Sequence, residues 1–294
     1  MSALTLIHHG IIRTALAGTL ASCAMPAAAQ TLTGAPPPAD ARSEIDVNLV
    51  NLPTTAPFKR HGSYFRLTHR FARDLREGDF GSLAADLFSL DNGAVIGLEY
   101  RFGITSRLHA GVHRTILSKT IQFFGRFDGW GQGEALPFSL SVIGSVEGLN
   151  NMRGNHQPAV AAVLSRTIGS RLALYAMPTV VGNTRAADFL TGHDHGHDVG
   201  GEVDEHSTHE HTAMVGLGTR VRVRPTIFVS AEAAPRLAGH DPGRAMWAVS
   251  VEKKTGGHTL ALALTDSFGT TFGQLARGGS DHDVYLGFNV TRRF

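Results

Sequence analysis

What most constrains this chain is an alternation of apolar and polar residues with a period of two, clearest near the C-terminus. Val284, Leu286, Phe288 and Val290 share one parity, while Tyr285, Gly287, Asn289, Thr291 and Arg293 share the other. Side chains on a strand point to opposite faces in turn, so this stretch makes a β-strand with one greasy and one polar face. Ending on an aromatic residue, it has the form of the closing strand of a membrane β-barrel, with the edge of a soluble sheet as the alternative. The rest of the chain decides between the two settings.

The same alternation recurs upstream. Phe65, Leu67 and Phe71 oppose Tyr64, Arg66, Thr68 and Arg70, and Ile96, Leu98, Tyr100 and Phe102 oppose Gly97, Glu99 and Arg101. The pattern repeats near 108–113, 121–127, 138–147, 172–180, 213–224, 227–232, 247–252 and 259–265, and more weakly over 159–167. That makes about twelve strands of about 8–12 residues, the length a tilted strand needs to cross a membrane. An even-stranded membrane barrel keeps both chain ends on one side and alternates long with short connections. Here 72–93, 148–157, 182–211 and 266–282 are long, while 104–106, 169–170, 225–226 and 255–257 are short; 116–118 and 128–135 break the rule. A soluble sandwich has no reason to alternate in this way. The expected fold is therefore all-β, a closed antiparallel transmembrane β-barrel of about twelve strands. The final strand, ending on the aromatic Phe294, then closes the barrel and presents the end that the barrel assembly machinery engages.

Residues 1–29 have the form of a signal peptide: His8, His9 and Arg13, a short apolar core, then Ala27-Ala28-Ala29 as a small-residue cleavage site. Leu20-Ala21-Ser22-Cys23 also fits a lipobox, so lipidation of Cys23 stands as the alternative to ordinary cleavage. Cys23 is the only cysteine, which excludes a disulfide framework. Residues 30–60 follow as a periplasmic leader, with Pro36-Pro37-Pro38 as a stiff linker. Ile45, Val47 and Leu49 alternate briefly within it and are able to pair with something, until Pro53 and Pro57 end any strand. Residues 61–294 are the barrel. The expected location is the bacterial outer membrane, with its lipid, the assembly machinery and small solutes as partners. A formal net charge of +2 argues against nucleic acid.

Four stretches carry a resemblance: 63–71, 87–103, 268–274 (Phe-Gly-Thr-Thr-Phe-Gly-Gln) and 286–294. On them the chain resembles a family of bacterial outer-membrane β-barrel proteins of unknown function. The resemblance implies the barrel and supplies no activity, substrate or catalytic residue.

Two features are candidates for function. If the greasy parity faces lipid, the lumen is lined by Arg66, Arg70, Glu99, Arg101, Arg220, Arg222, Arg224 and Glu232, with Arg126, Glu147, Glu252 and Arg293. Arg220, Arg222 and Arg224 would form a ladder with members about 6–7 Å apart, a positive wall that favours anions. The competing view is a packed interior in which these arginines pair with the glutamates and hold the barrel. The second feature is the long connection that bears His193, His195, His197, His206, His209 and His211 among acidic residues. Imidazole and carboxylate suit zinc or copper, although such a tract also arises in a solvated loop. No serine, histidine and acid are marked as a nucleophilic set, so no enzyme is expected. The reading is a narrow pore for small solutes with a preference for anions; the alternative is a surface barrel that captures metal through residues 192–211.

Overall fold

The computed structural model describes residues 44–184, 211–239 and 244–294. Its thirteen strands lie in one antiparallel sheet. They are β1 (Ser63–Phe71), β2 (Ala94–Gly103), β3 (Leu108–Thr115), β4 (Ile121–Trp130), β5 (Ser139–Gly148), β6 (Gly154–Ile168), β7 (Leu172–Val181), β8 (Thr212–Arg224), β9 (Ile227–Ala234), β10 (Arg236–Ala238), β11 (Met246–Thr255), β12 (His258–Thr265) and β13 (Tyr285–Arg293). Pro235 cannot donate to a ladder, and it separates β10 from β9, both of which pair with β8. The two pieces act as one wall strand, so the wall has twelve. Each neighbour in sequence is a neighbour in space, and β1 pairs with β13, which closes the sheet into a barrel.

The alternation sets which face points where. On β1, Tyr64, Arg66, Thr68 and Arg70 are buried while Phe65 is exposed. Across the barrel Leu98, Phe102, Phe123, Val142, Leu174, Leu217, Val229, Val251 and Leu262 are exposed on the outside. The protein is thus greasy on its outer surface and polar within, the reverse of a soluble sandwich. Phe65, Tyr100, Phe102, Phe127, Trp130 and Phe294 are all exposed toward the end where β1 begins and β13 stops, as in the aromatic girdles of membrane barrels.

The bore is filled. From the end carrying Phe294, residues 44–58 enter the barrel as a hairpin, with a turn in which the Leu49 N–H donates to the Leu52 carbonyl at 2.8 Å and that of Thr54 to Val47 at 2.9 Å. Val47, Val50, Leu52 and Ala56 are at most 1% exposed. From the opposite end the connection between β12 and β13 turns inward, and its short helix Phe272–Ala276 is buried along its whole length. The hairpin is the part of the expected periplasmic leader that enters the barrel. It lies inside because a barrel of this width leaves polar wall groups facing each other across a gap that must be filled or hydrated.

Candidate functional site

The candidate site is the bore, and alternation along each strand builds it. Arg66 and Arg70 on β1, Glu99 and Arg101 on β2, Arg126 on β4, Arg220 on β8, Glu232 on β9 and Glu252 on β11 all point inward and are buried. Buried guanidinium groups need partners, since an unpaired buried charge costs several kcal/mol. Some partners are wall carboxylates. Arg66 pairs with Glu99 at 3.3 Å and Arg220 with Glu252 at 2.8 Å. Arg101 also pairs with Glu99, and Arg126 with Asp128 at 2.7 Å.

Arg70 also donates to Asn289 Oδ1 of β13 at 2.9 Å, and the other partners belong to the hairpin. Arg66 Nη2 donates to the Val50 carbonyl at 2.6 Å, and Arg220 Nη2 to that of Asn48 at 2.7 Å. Arg126 donates to the Thr54 carbonyl and, at 3.2 Å, to that of Ala56. Arg70 Nη2 reaches Asn51 Oδ1 at 3.0 Å and Arg101 Nη2 reaches Asn48 Oδ1 at 2.8 Å. In return Glu232 accepts the N–H groups of Asn51 at 2.8 Å and Leu52 at 3.1 Å. Thr291 donates to Asp46 at 2.6 Å and Asn289 to the Val50 carbonyl at 2.8 Å. Bonds of a charged donor to a carbonyl are each worth about 1.5–3 kcal/mol net. A turn whose backbone lacks sheet partners is what needs such donors.

Small wall residues take the hairpin's aliphatic side chains. A Cβ on Gly218 would come within 2.3 Å of Leu49 Cδ1, and one on Gly216 within 3.0 Å of Leu52 Cδ1. Val50 clusters with Ala248 and Ala263. Small wall residues therefore leave the space that the hairpin's leucines and valines occupy. Arg–carbonyl bonds and matched small residues, side by side on β8, form a socket for this particular segment.

The inturned connection is held separately. Glu147 on β5 accepts from Thr271 Oγ1 and from the Gly273 N–H, both at 2.9 Å. Gln274 donates to Thr120 Oγ1 at 3.1 Å, and Thr270 Oγ1 lies 3.3 Å from His113 Nε2. At its root Asp266 accepts the Trp247 N–H at 2.8 Å, while burial pushes its carboxyl up to about 6.

The expected ladder on β8 divides. Arg220 is buried in the bore, whereas Arg224 is exposed and Arg222 is partly exposed at the rim, beside a register shift between them. Arg222 donates to the Pro225 carbonyl at 3.1 Å. The wall has three residues in a row but the bore ends before the second, so a ladder in sequence spans lumen and rim. His193, His195, His197, His206 and His209 lie outside the described residues, and His211 is exposed just before β8. No metal-binding group of three or more ligands occurs among the described residues. The hairpin was missed as a site element. Its one sequence signal, the alternation of Ile45, Val47 and Leu49, showed that the segment had something to bury and not where.

The family model for a membrane bound beta barrel domain, DUF5777, matches residues 46–294, barrel and hairpin together. The chain belongs to the DUF5777 family. It is a membrane-bound β-barrel. No curated protein matches it. Among solved structures this DUF5777 chain is similar to the KdgM porin in complex with disordered oligogalacturonate, at 8% identity and a TM-score of 0.48 over 79% of this chain and 99% of that one. It is similar to the NanC porin at 8% identity and a TM-score of 0.47, over 78% and 97%. Omp33 of Acinetobacter baumannii gives 8%, 0.43, and 80% and 98%.

Proposed function

We propose that this DUF5777 barrel is a gated passage for small solutes in the bacterial outer membrane, closed in the present conformation by its own N-terminal hairpin. One observation carries the reading. The hairpin fills the bore yet joins no wall ladder: among the described residues its one β-bridge is internal, between Asn48 and Pro53. Among the described residues, every hydrogen bond from hairpin to wall runs through a side chain. Withdrawing residues 44–58 would therefore leave all twelve wall pairings intact, and the freed arginines would be hydrated by water entering the bore.

An open bore would favour anions. Among buried side chains on the strands, Arg66, Arg70, Arg101, Arg126 and Arg220 face Glu99, Glu147, Glu232 and Glu252, one positive charge in excess. In a narrow lumen of low dielectric that excess weighs more than it would in water. The hairpin also covers the buried His109, whose ring stacks on Phe58 at 4.8 Å between centroids.

Single-channel recording in a planar bilayer tests this directly. The intact chain should be closed or flicker rarely, and a variant lacking residues 44–58 should show discrete, lasting openings with a reversal potential on the anion side in a salt gradient. A deletion variant that folds and still does not conduct would make the hairpin a structural filler and end the passage reading.

A further inference from the structure

Where the tip of the hairpin meets the inturned connection, a cavity of about 20 Å³ remains, lined by Asn51, Arg66, Glu99, Arg101, Phe124 and Phe272 among others. That is room for one or two particles the size of water. Three nitrogens of its lining residues have no hydrogen-bond partner: Asn51 Nδ2, Arg66 Nε and Arg101 Nη1. All three residues are at least 97% buried, with exposures of 3%, 1% and 3%. Buried polar groups are nearly always satisfied, and three orphans on residues that line one cavity call for an occupant.

Its chemistry follows from what the lining offers. All three orphan atoms are donors. The side-chain acceptors of Glu99, Asn51 and Asn48 are already engaged: Glu99 takes Arg66 at 3.3 Å as well as Arg101, Asn51 Oδ1 takes Arg70 at 3.0 Å, and Asn48 Oδ1 takes Arg101 at 2.8 Å. The bond from Arg70 also fixes the Asn51 amide, so that Nδ2 faces away from it. Two guanidinium groups and one carboxylate line the cavity, leaving one positive charge over. A guest that only accepts, carries one negative charge and is no larger than a water or two satisfies all of these conditions.

We propose that this cavity binds a small inorganic anion of chloride size, which bridges Asn51 of the hairpin to Arg66 and Arg101 of the wall and so fastens the hairpin in the bore. The anion is then a structural ligand of the closed state. The site holds whether or not solutes ever pass, because it concerns only the docked hairpin.

The test uses the full chain in detergent, with hydrogen exchange of residues 45–56 followed in sodium chloride and in sodium gluconate at equal ionic strength, gluconate being too large for the cavity. Protection should be about tenfold higher in chloride, the mass-action gain when a ligand stands at about ten times its dissociation constant. Asn51→Asp keeps the acceptor for Arg70 and places a carboxylate oxygen where Nδ2 was. This variant should be as protected in gluconate as the unaltered protein is in chloride, and chloride should no longer affect it. Crystals grown with bromide should show anomalous density at Arg66 and Arg101. Equal protection in the two salts, an undiminished chloride response in Asn51→Asp, or a cavity that holds water and no bromide would each overturn the proposal. Conductance enters none of these readouts, so this site and the passage reading fail separately.

Discussion

Leu52 shows at the level of one residue how the hairpin is held in the bore. It is 1% exposed and packs against the bare backbone of Gly216 and the Met177 side chain. Leu52→Ala leaves a cavity, which in protein interiors costs about 2–5 kcal/mol. That cost should fall on docking of the hairpin and not on the wall. Hydrogen exchange across 45–56 should rise while the ladders of β1 to β13 stay protected, and an equal rise in both would mean that hairpin and wall unfold together. Asp266 gives a pH dependence at the other end of the bore. Its folded pKa of about 6 lies above the ordinary carboxyl value of 3.8, so its contribution is fully present below about pH 4 and is lost as pH rises through 6. Proteolysis within 267–282 should therefore be slower at pH 5 than at pH 7.5. Asp266→Asn, which mimics the protonated acid, should be slow at both. A pH response that survives in the variant would place the titrating group elsewhere.

For whole strands, the outward parity is the testable object. Leu262 on β12 is 58% exposed on the greasy surface, and Leu262→Arg should hinder membrane assembly, at a cost of about 2–4 kcal/mol at mid-depth. Three positions earlier, Thr259 faces the bore and is 8% exposed, beside Thr291, which donates to Asp46 of the hairpin. Thr259→Arg should leave assembly near normal and crowd the hairpin instead. Folding by heat-modifiable gel mobility and hairpin exchange separate the two, and equal assembly defects would refute the parity. Just after β13, the Phe294 N–H donates to the Ser63 carbonyl at 2.9 Å while its ring is exposed. Deleting Phe294 should slow assembly into membranes by the barrel machinery, and an unchanged rate would remove its reading as an assembly signal. Strand parity was legible because neighbours on a strand differ by one rule, and that rule holds for each strand without knowledge of its partner. What the inward arginines touch was not legible in the same way. Arg220 and Arg222 share a parity, yet one is buried on a hairpin carbonyl and the other sits at the rim.

At the scale of the molecule, the hairpin and the wall are complementary shapes, so the passage can be tested without deleting anything. Gly218→Val places side-chain atoms where Leu49 now lies, since even a Cβ would come within 2.3 Å of Leu49 Cδ1. Overpacking of this kind costs about 1–3 kcal/mol and forces one partner to move. The hairpin, which shares no backbone ladder with the wall among the described residues, is the partner free to do so, and the variant should conduct in planar bilayers more often than the unaltered chain. Silence in a folded Gly218→Val barrel with a displaced hairpin would count against passage. Twelve wall strands, their inward and outward faces and the alternation of most of their connections came from the amino-acid sequence by itself. Each is a consequence of local periodicity meeting a lipid outside and polar groups inside. Only the tertiary structure decided what occupies the bore. Contacts such as Arg66 to Val50 and Glu232 to Asn51 join residues 16 and 181 positions apart, and nothing in a stretch of sequence records which distant backbone carbonyl a buried guanidinium will meet once the barrel has closed around it.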